Sequence, residues 1–194
     1  MMQRASRFLA DYVIHKGMVD ENDREIYEYG FMLSLEAGIF ILFCFLMTVS
    51  LRMYVNGILF FVIFAPLRSY AGGLHLKRYQ SCLILSCLTF SAVLLITKYV
   101  HIPNYILGVT LVALEILVYC IYPVENTNRK VDESEDRYFK ERLGKFLVFD
   151  LIIGMACVVV GRIDYLMQIV VIFFVVVLTM LIGKYMNNRE RSSL

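Results

Sequence analysis

The chain of 194 residues has no tryptophan, three histidines, and charged side chains at only 19% of positions. What is scarce narrows the reading. The basic residues are not interleaved with exposed aromatics on a polar domain, so no nucleic-acid-binding surface is expected. The five cysteines, Cys44, Cys82, Cys87, Cys120 and Cys157, are odd in number and irregular in spacing, which argues against a disulfide framework. Neither a C-x-x-C pair nor an H-E-x-x-H motif occurs, and His15, His75 and His101 are far apart along the chain. No metal and no cofactor is therefore expected. The first residues are polar and of mixed charge, unlike a cleavable signal peptide. No internal repeat or low-complexity tract is evident.

What is abundant is apolar surface: 59% of the residues are hydrophobic. They are clustered in runs of membrane-crossing length, which a soluble core of this size would not need. The fold class expected is an all-α membrane protein with six transmembrane helices. The crossings read as Phe31–Leu51, Val55–Leu67, Cys82–Val100, Tyr105–Tyr122, Phe146–Val160 and Tyr165–Tyr185. The second and fifth are short for a bilayer. A polar segment, Glu125–Lys145, separates the fourth from the fifth. Residues 1–30 form an N-terminal cytoplasmic or interfacial segment, 31–186 the membrane domain and 187–194 a polar tail. Phe8, Leu9, Tyr12 and Val13 recur at near-helical spacing, which fits an amphipathic helix lying on the membrane or packed on the protein itself. Asp20, Asn22 and Asp23 mark a helix start before Ile26.

The Lys and Arg residues orient these crossings. Four precede the first crossing, and Arg52 follows it alone. Three lie in Pro66–Cys82, and Lys98 is again alone. Six fall between Asn128 and Phe146, then Arg162 alone, and three follow Gly183. Rich and poor loops alternate throughout. The positive-inside rule then places both termini, the His75 loop and the 125–145 segment in the cytoplasm.

Chemistry concentrates in the segment R-S-Y-A-G-G-L-H-L-K-R-Y-Q-S-C, residues 68–82. A thiolate is a strong nucleophile, and an imidazole can take the thiol proton and return it to a leaving amine. His75 and Cys82 are thus a candidate base and nucleophile. On one straight helix they would be about 10.5 Å apart, too far for a hydrogen bond. The chain must bend between them, and Gly72 and Gly73 permit unusual backbone angles just before His75. Cys82 would open the third crossing, where a helix N-terminus favours the thiolate. Cys87, the competing nucleophile, lies about 7.5 Å deeper in an apolar setting. The bland reading of the pair is an interfacial histidine beside an unrelated membrane cysteine.

Arg68 is placed to bind a carboxylate or to snorkel to the interface. Glu36 and Glu115 fall inside crossings, where a carboxylate marks a functional or paired site. Either one orients His75 or pairs with Arg68 or another buried base. Arg129 and Lys130, with the other basic residues up to Lys145, attract anionic lipid or an acidic peptide tail.

At these residues the chain resembles the accessory gene regulator B (AgrB) family of quorum-sensing peptidases. The resemblance rests on Tyr29–Gly30, on the 68–82 segment, and on Y-P-V-E-N-T-N-R-K-V at residues 122–131. Ser69, Leu76, Tyr122 and Lys130 depart from residues common in the family. The resemblance implies His75 as base and Cys82 as nucleophile of a membrane cysteine endopeptidase, with Arg68 and Gly73 in support. It implies as partner a small propeptide with an amphipathic helix and an acidic C-terminal tail. The enzyme removes the tail and cyclises the remainder through a thioester to a thiolactone or lactone. The competing readings are a non-enzymatic peptide exporter or channel, with Glu36 and Glu115 as pathway groups, and a structural scaffold. A homodimer is the default assembly, symmetric pairs being the commonest.

Overall fold

The computed structural model describes residues 2–72, 79–123 and 133–191. Among these residues the chain is helical throughout, with no strand. The α-helices are α1 (Met2–His15), α2 (Arg24–Leu51), α3 (Tyr54–Ala71), α4 (Tyr79–Tyr99), α5 (Asn104–Ile121), α6 (Glu133–Val160) and α7 (Ile163–Arg191). A single 3-10 turn, Glu21–Asp23, leads into α2; the Asp20 side chain caps it by accepting from the Asn22 N–H. The helix start expected before Ile26 is there.

Six of these helices, α2 to α7, are long and apolar enough to cross a bilayer. Two crossings that read as short are not. The second continues through Pro66 to Ala71 as one 18-residue helix. The fifth is the distal part of a 28-residue helix that begins at Glu133. The polar segment therefore becomes helix from residue 133 onward. The physical reason is a stripe of apolar side chains running up into the charged stretch. Phe139 and Phe146 pack on the Tyr70 ring, at 6.1 and 5.4 Å between centroids, and Leu143 is fully buried. On the exposed face Lys145 pairs with Glu141 one turn back, at 2.6 Å.

Position in the bundle follows apolar character. α7 has the highest mean hydropathy of the six, 2.8, and 67% of its apolar window is buried. It packs against α3, α4, α5 and α6. Leu166, Ile169, Ile172, Phe173, Val176 and Met180 are all shielded on it. A helix apolar all round is stable only where neighbours or lipid cover every face. α2 is the opposite case, with 6% of its window buried. Its Ile41, Leu42, Phe45 and Leu46 point outward, as lipid-facing side chains do.

The two ends of the bundle differ. At one end the connections are tight: residues 52–53, 100–103 and 161–162. α6 stops at Gly161, whose φ of 74° is the left-handed conformation glycine adopts without cost. The N–H groups of Gly161 and Arg162 then return to the carbonyls of Val158 and Cys157. α2 ends in the same pattern with Arg52 in the left-handed position. The other end holds the longer connections, which carry the motif residues.

α1 packs along α2. Ser6 and Ala10 are its buried contacts, and Phe8 and Tyr12 stay exposed. Arg7 pairs with Glu28 at 2.8 Å, and Arg24 pairs with Asp11 and Glu21. The N-terminal helix is thus docked on the protein and still presents an apolar edge outward.

Candidate active site

α3 and α4 flank the motif. α3 ends at Ala71, and Gly72 follows with φ 76° and ψ −156°, a conformation essentially reserved for glycine. The bend expected between His75 and Cys82 falls in residues 73–78, outside the described residues. α4 is described from Tyr79, and Cys82 is its fourth described residue. His75 and Gly73 lie outside the described residues, as do Arg129 and Lys130.

Three of the expected side chains lie in one neighbourhood. Cys82 on α4 lies within electrostatic range of Glu36 on α2 and of Arg68 on α3, with the Ser86 hydroxyl one turn below its sulfur. Glu36 approaches the Leu83 backbone N–H, which holds the carboxylate against the start of α4. Arg68 donates from Nη1 to the Gly72 carbonyl at 3.0 Å. That bond ties the guanidinium to the residue where the chain turns toward His75. All three side chains are half-buried. The result is a thiol with a carboxylate and a guanidinium near it, at the end of the bundle opposite the tight turns.

The two candidate cysteines differ in company. Cys87, five residues farther along α4, faces the buried Cys44 of α2 in apolar surroundings. Cys82 alone of the two has charged neighbours among the described residues.

Glu115 is elsewhere. Its helix, α5, packs on α7 and α6, and its charged neighbour is a second carboxylate, Asp150 of α6. The sequence reading passed over Asp150, although the signal was available: an aspartate inside the apolar run Phe146–Val160. Among the described residues no cluster of metal-ligating side chains occurs.

Fold and site together define a polytopic α-helical protein with a cysteine-centred polar site at one end of its bundle. The chain matches the accessory gene regulator B (AgrB) family over residues 6–183, nearly its whole length, and belongs to that family. It is a multi-pass membrane protein associated with quorum-sensing peptide processing. No curated protein and no solved structure matches it.

Proposed function

We propose that the protein is a membrane cysteine endopeptidase that cuts a small quorum-sensing propeptide and cyclises it. The observation that carries the reading is the nearness of Arg68 and Glu36 to Cys82 of α4, in a chain of this family.

His75 takes the proton of Cys82, and the thiolate attacks the carbonyl of the scissile peptide bond. The C–N bond breaks, and the His75 imidazolium gives its proton to the leaving amine of the acidic tail. The peptide remains on Cys82 as a thioester, whose carbonyl stays activated. An internal thiol or hydroxyl of the peptide then attacks that carbonyl, losing its proton as Cys82 regains one, and the ring leaves. Ring closure outruns hydrolysis because the attacking group is held close and water is kept away. Arg68 and Gly73 support the site, and Glu36 sets the surroundings of Cys82. Arg129 and Lys130 add positive charge that draws the acidic tail.

The distribution of Lys and Arg supports an orientation with both termini and the site on the cytoplasmic face of the cell membrane. The exposed Phe8 and Tyr12 of α1 suit contact with lipid beside an amphipathic substrate helix.

Co-expression with a propeptide encoded beside this chain tests the proposal. A covalent adduct on Cys82, with the mass of the peptide lacking its tail, is the expected product. Cys82→Ala removes both adduct and ring, and His75→Ala removes turnover. Unchanged processing by Cys82→Ala would sink the enzyme assignment in favour of an exporter or scaffold.

A further inference from the structure

Away from Cys82, α5 and α6 enclose a groove of about 360 Å3. Glu115, Ile116 and Tyr119 line one wall, and Gly144, Leu147 and Val148 the other. Gly144 keeps the groove open: a side chain there would meet no atom within 4 Å. Glu115 is only 8% exposed, and its Oε1 has no hydrogen-bond partner among the described residues. Asp150 of the facing helix α6, within electrostatic range of Glu115, is fully buried, and neither of its carboxylate oxygens has a partner among the described residues.

Depth makes this pair unusual. Glu115 is eleven residues from the start of α5, and Asp150 ten from the end of α6, at the same end of the bundle. At about 1.5 Å per residue, both lie roughly 15 Å in, the middle of a hydrocarbon core about 30 Å thick.

Among the described residues of the packed helices, no cation is placed against the pair. α7 contributes the uncharged run from Leu166 to Met180. On α6, Lys145 is engaged with Glu141, and Lys140 sits 5.4 Å over the Tyr119 ring, toward the groove's outer end. On α3, which packs on α6, Arg68 keeps company with Cys82 and Gly72. Two adjacent carboxylates in hydrocarbon cannot both remain ionised without a counter-charge. A divalent cation is poorly served, since it calls for about six oxygens and the remaining lining is largely apolar.

We propose that Glu115 and Asp150 form a proton-binding site at the bilayer midplane, sharing a proton that enters and leaves through the α5–α6 groove. The site is separate from the peptidase proposal and stands or falls without it. A proton held between the two carboxyl groups supplies the hydrogen bond each lacks and joins α5 to α6. Its loss sets two like charges against each other across that interface.

The test uses the full chain in lipid nanodiscs. N,N′-dicyclohexylcarbodiimide partitions into lipid and modifies carboxyl groups in their protonated form; mass spectrometry of the α5 peptide reads the adduct. We expect an adduct at Glu115 in acidic buffer that disappears as pH rises. It is lost in E115Q. In D150N, with the neighbouring charge gone, the midpoint of the loss falls by about one pH unit or more. An unlabelled Glu115 at every pH, labelling that ignores pH, or a D150N midpoint equal to that of the wild type overturns the proposal. Should D150N fail to fold, infrared spectra of the wild-type protein decide. A protonated-carboxyl band that titrates away and is missing in E115Q supports the site, and its absence in acidic buffer overturns it.

Discussion

Gln168 of α7 and Asn56 of α3 hold each other by a reciprocal pair of hydrogen bonds. Asn56 Nδ2 donates to Gln168 Oε1 at 2.6 Å, and Gln168 Nε2 donates to the Asn56 backbone carbonyl at 2.7 Å. Both side chains are buried near the tight-turn end of the bundle. Gln168→Leu leaves the buried Asn56 side-chain amide without this partner. Interhelical hydrogen bonds in membranes contribute about 0.6 to 2 kcal/mol. We expect a stability loss of that size in Gln168→Leu, read as lowered resistance to thermal unfolding in detergent.

The turn between α2 and α3 depends on Gly57. A Cβ at that position would lie 2.7 Å from Thr48 Oγ1 and 2.9 Å from Thr48 Cγ2. Rotating Thr48 does not help, because two branches are in the way and its hydroxyl is bonded to the Cys44 carbonyl at 2.6 Å. Gly57→Ala is therefore expected to cost about 1–3 kcal/mol through overpacking. Thr48→Ala removes both clashing atoms, so the double variant Thr48→Ala/Gly57→Ala recovers most of the loss. A double-mutant cycle on thermal unfolding measures the recovery; strictly additive effects would show that the contact is not the cause.

The proposed chemistry separates the two cysteines of α4. Cys87→Ser is expected to process the propeptide at the wild-type rate, and Cys82→Ser to lose the thioester. Glu36→Gln keeps the shape of the side chain and removes its charge beside Cys82. A negative charge beside a thiol disfavours its thiolate, so removing it is expected to speed acylation at neutral pH, while binding of the uncut peptide is retained. Single-turnover measurement of the adduct distinguishes the two effects. Loss of peptide binding in Glu36→Gln would assign the carboxylate to folding instead.

Tyr122, just past the end of α5, donates to Asp136 Oδ1 at 2.9 Å, with the Asp136 backbone carbonyl at 3.2 Å. Burial, then this hydrogen bond and the Asp136 charge, hold its phenol well above the ordinary tyrosine range. A neutral acid with a raised folded value stabilises the fold fully below its unfolded value, about pH 10. That contribution fades only as pH climbs through the higher folded value. Alkaline difference spectra should therefore show no phenolate signal lost on Tyr122→Phe through the usual tyrosine transition. A signal that disappears in that range would mean that Tyr122 is solvated and the bond to Asp136 unmade.

Six crossings were legible because the bilayer is an unforgiving solvent. Any stretch that spans it must be apolar and helical, and length and composition report both directly. The end of α3 was missed by four residues, the second crossing reading as ending at Leu67, although Gly72 supplies an angle that other residues avoid. The length of α6 was not legible: charge along 133–145 reads as a loop until Phe139 and Phe146 find Tyr70, and that contact is between helices far apart in sequence. Which helix occupies the centre, which carboxylate joins Cys82 and which joins Asp150 depend on how the helices rotate and pack. Hydropathy is indifferent to rotation about a helix axis, so Glu36 and Glu115 looked alike along the chain. Only the packed bundle set one beside the thiol and the other against a second acid at mid-membrane.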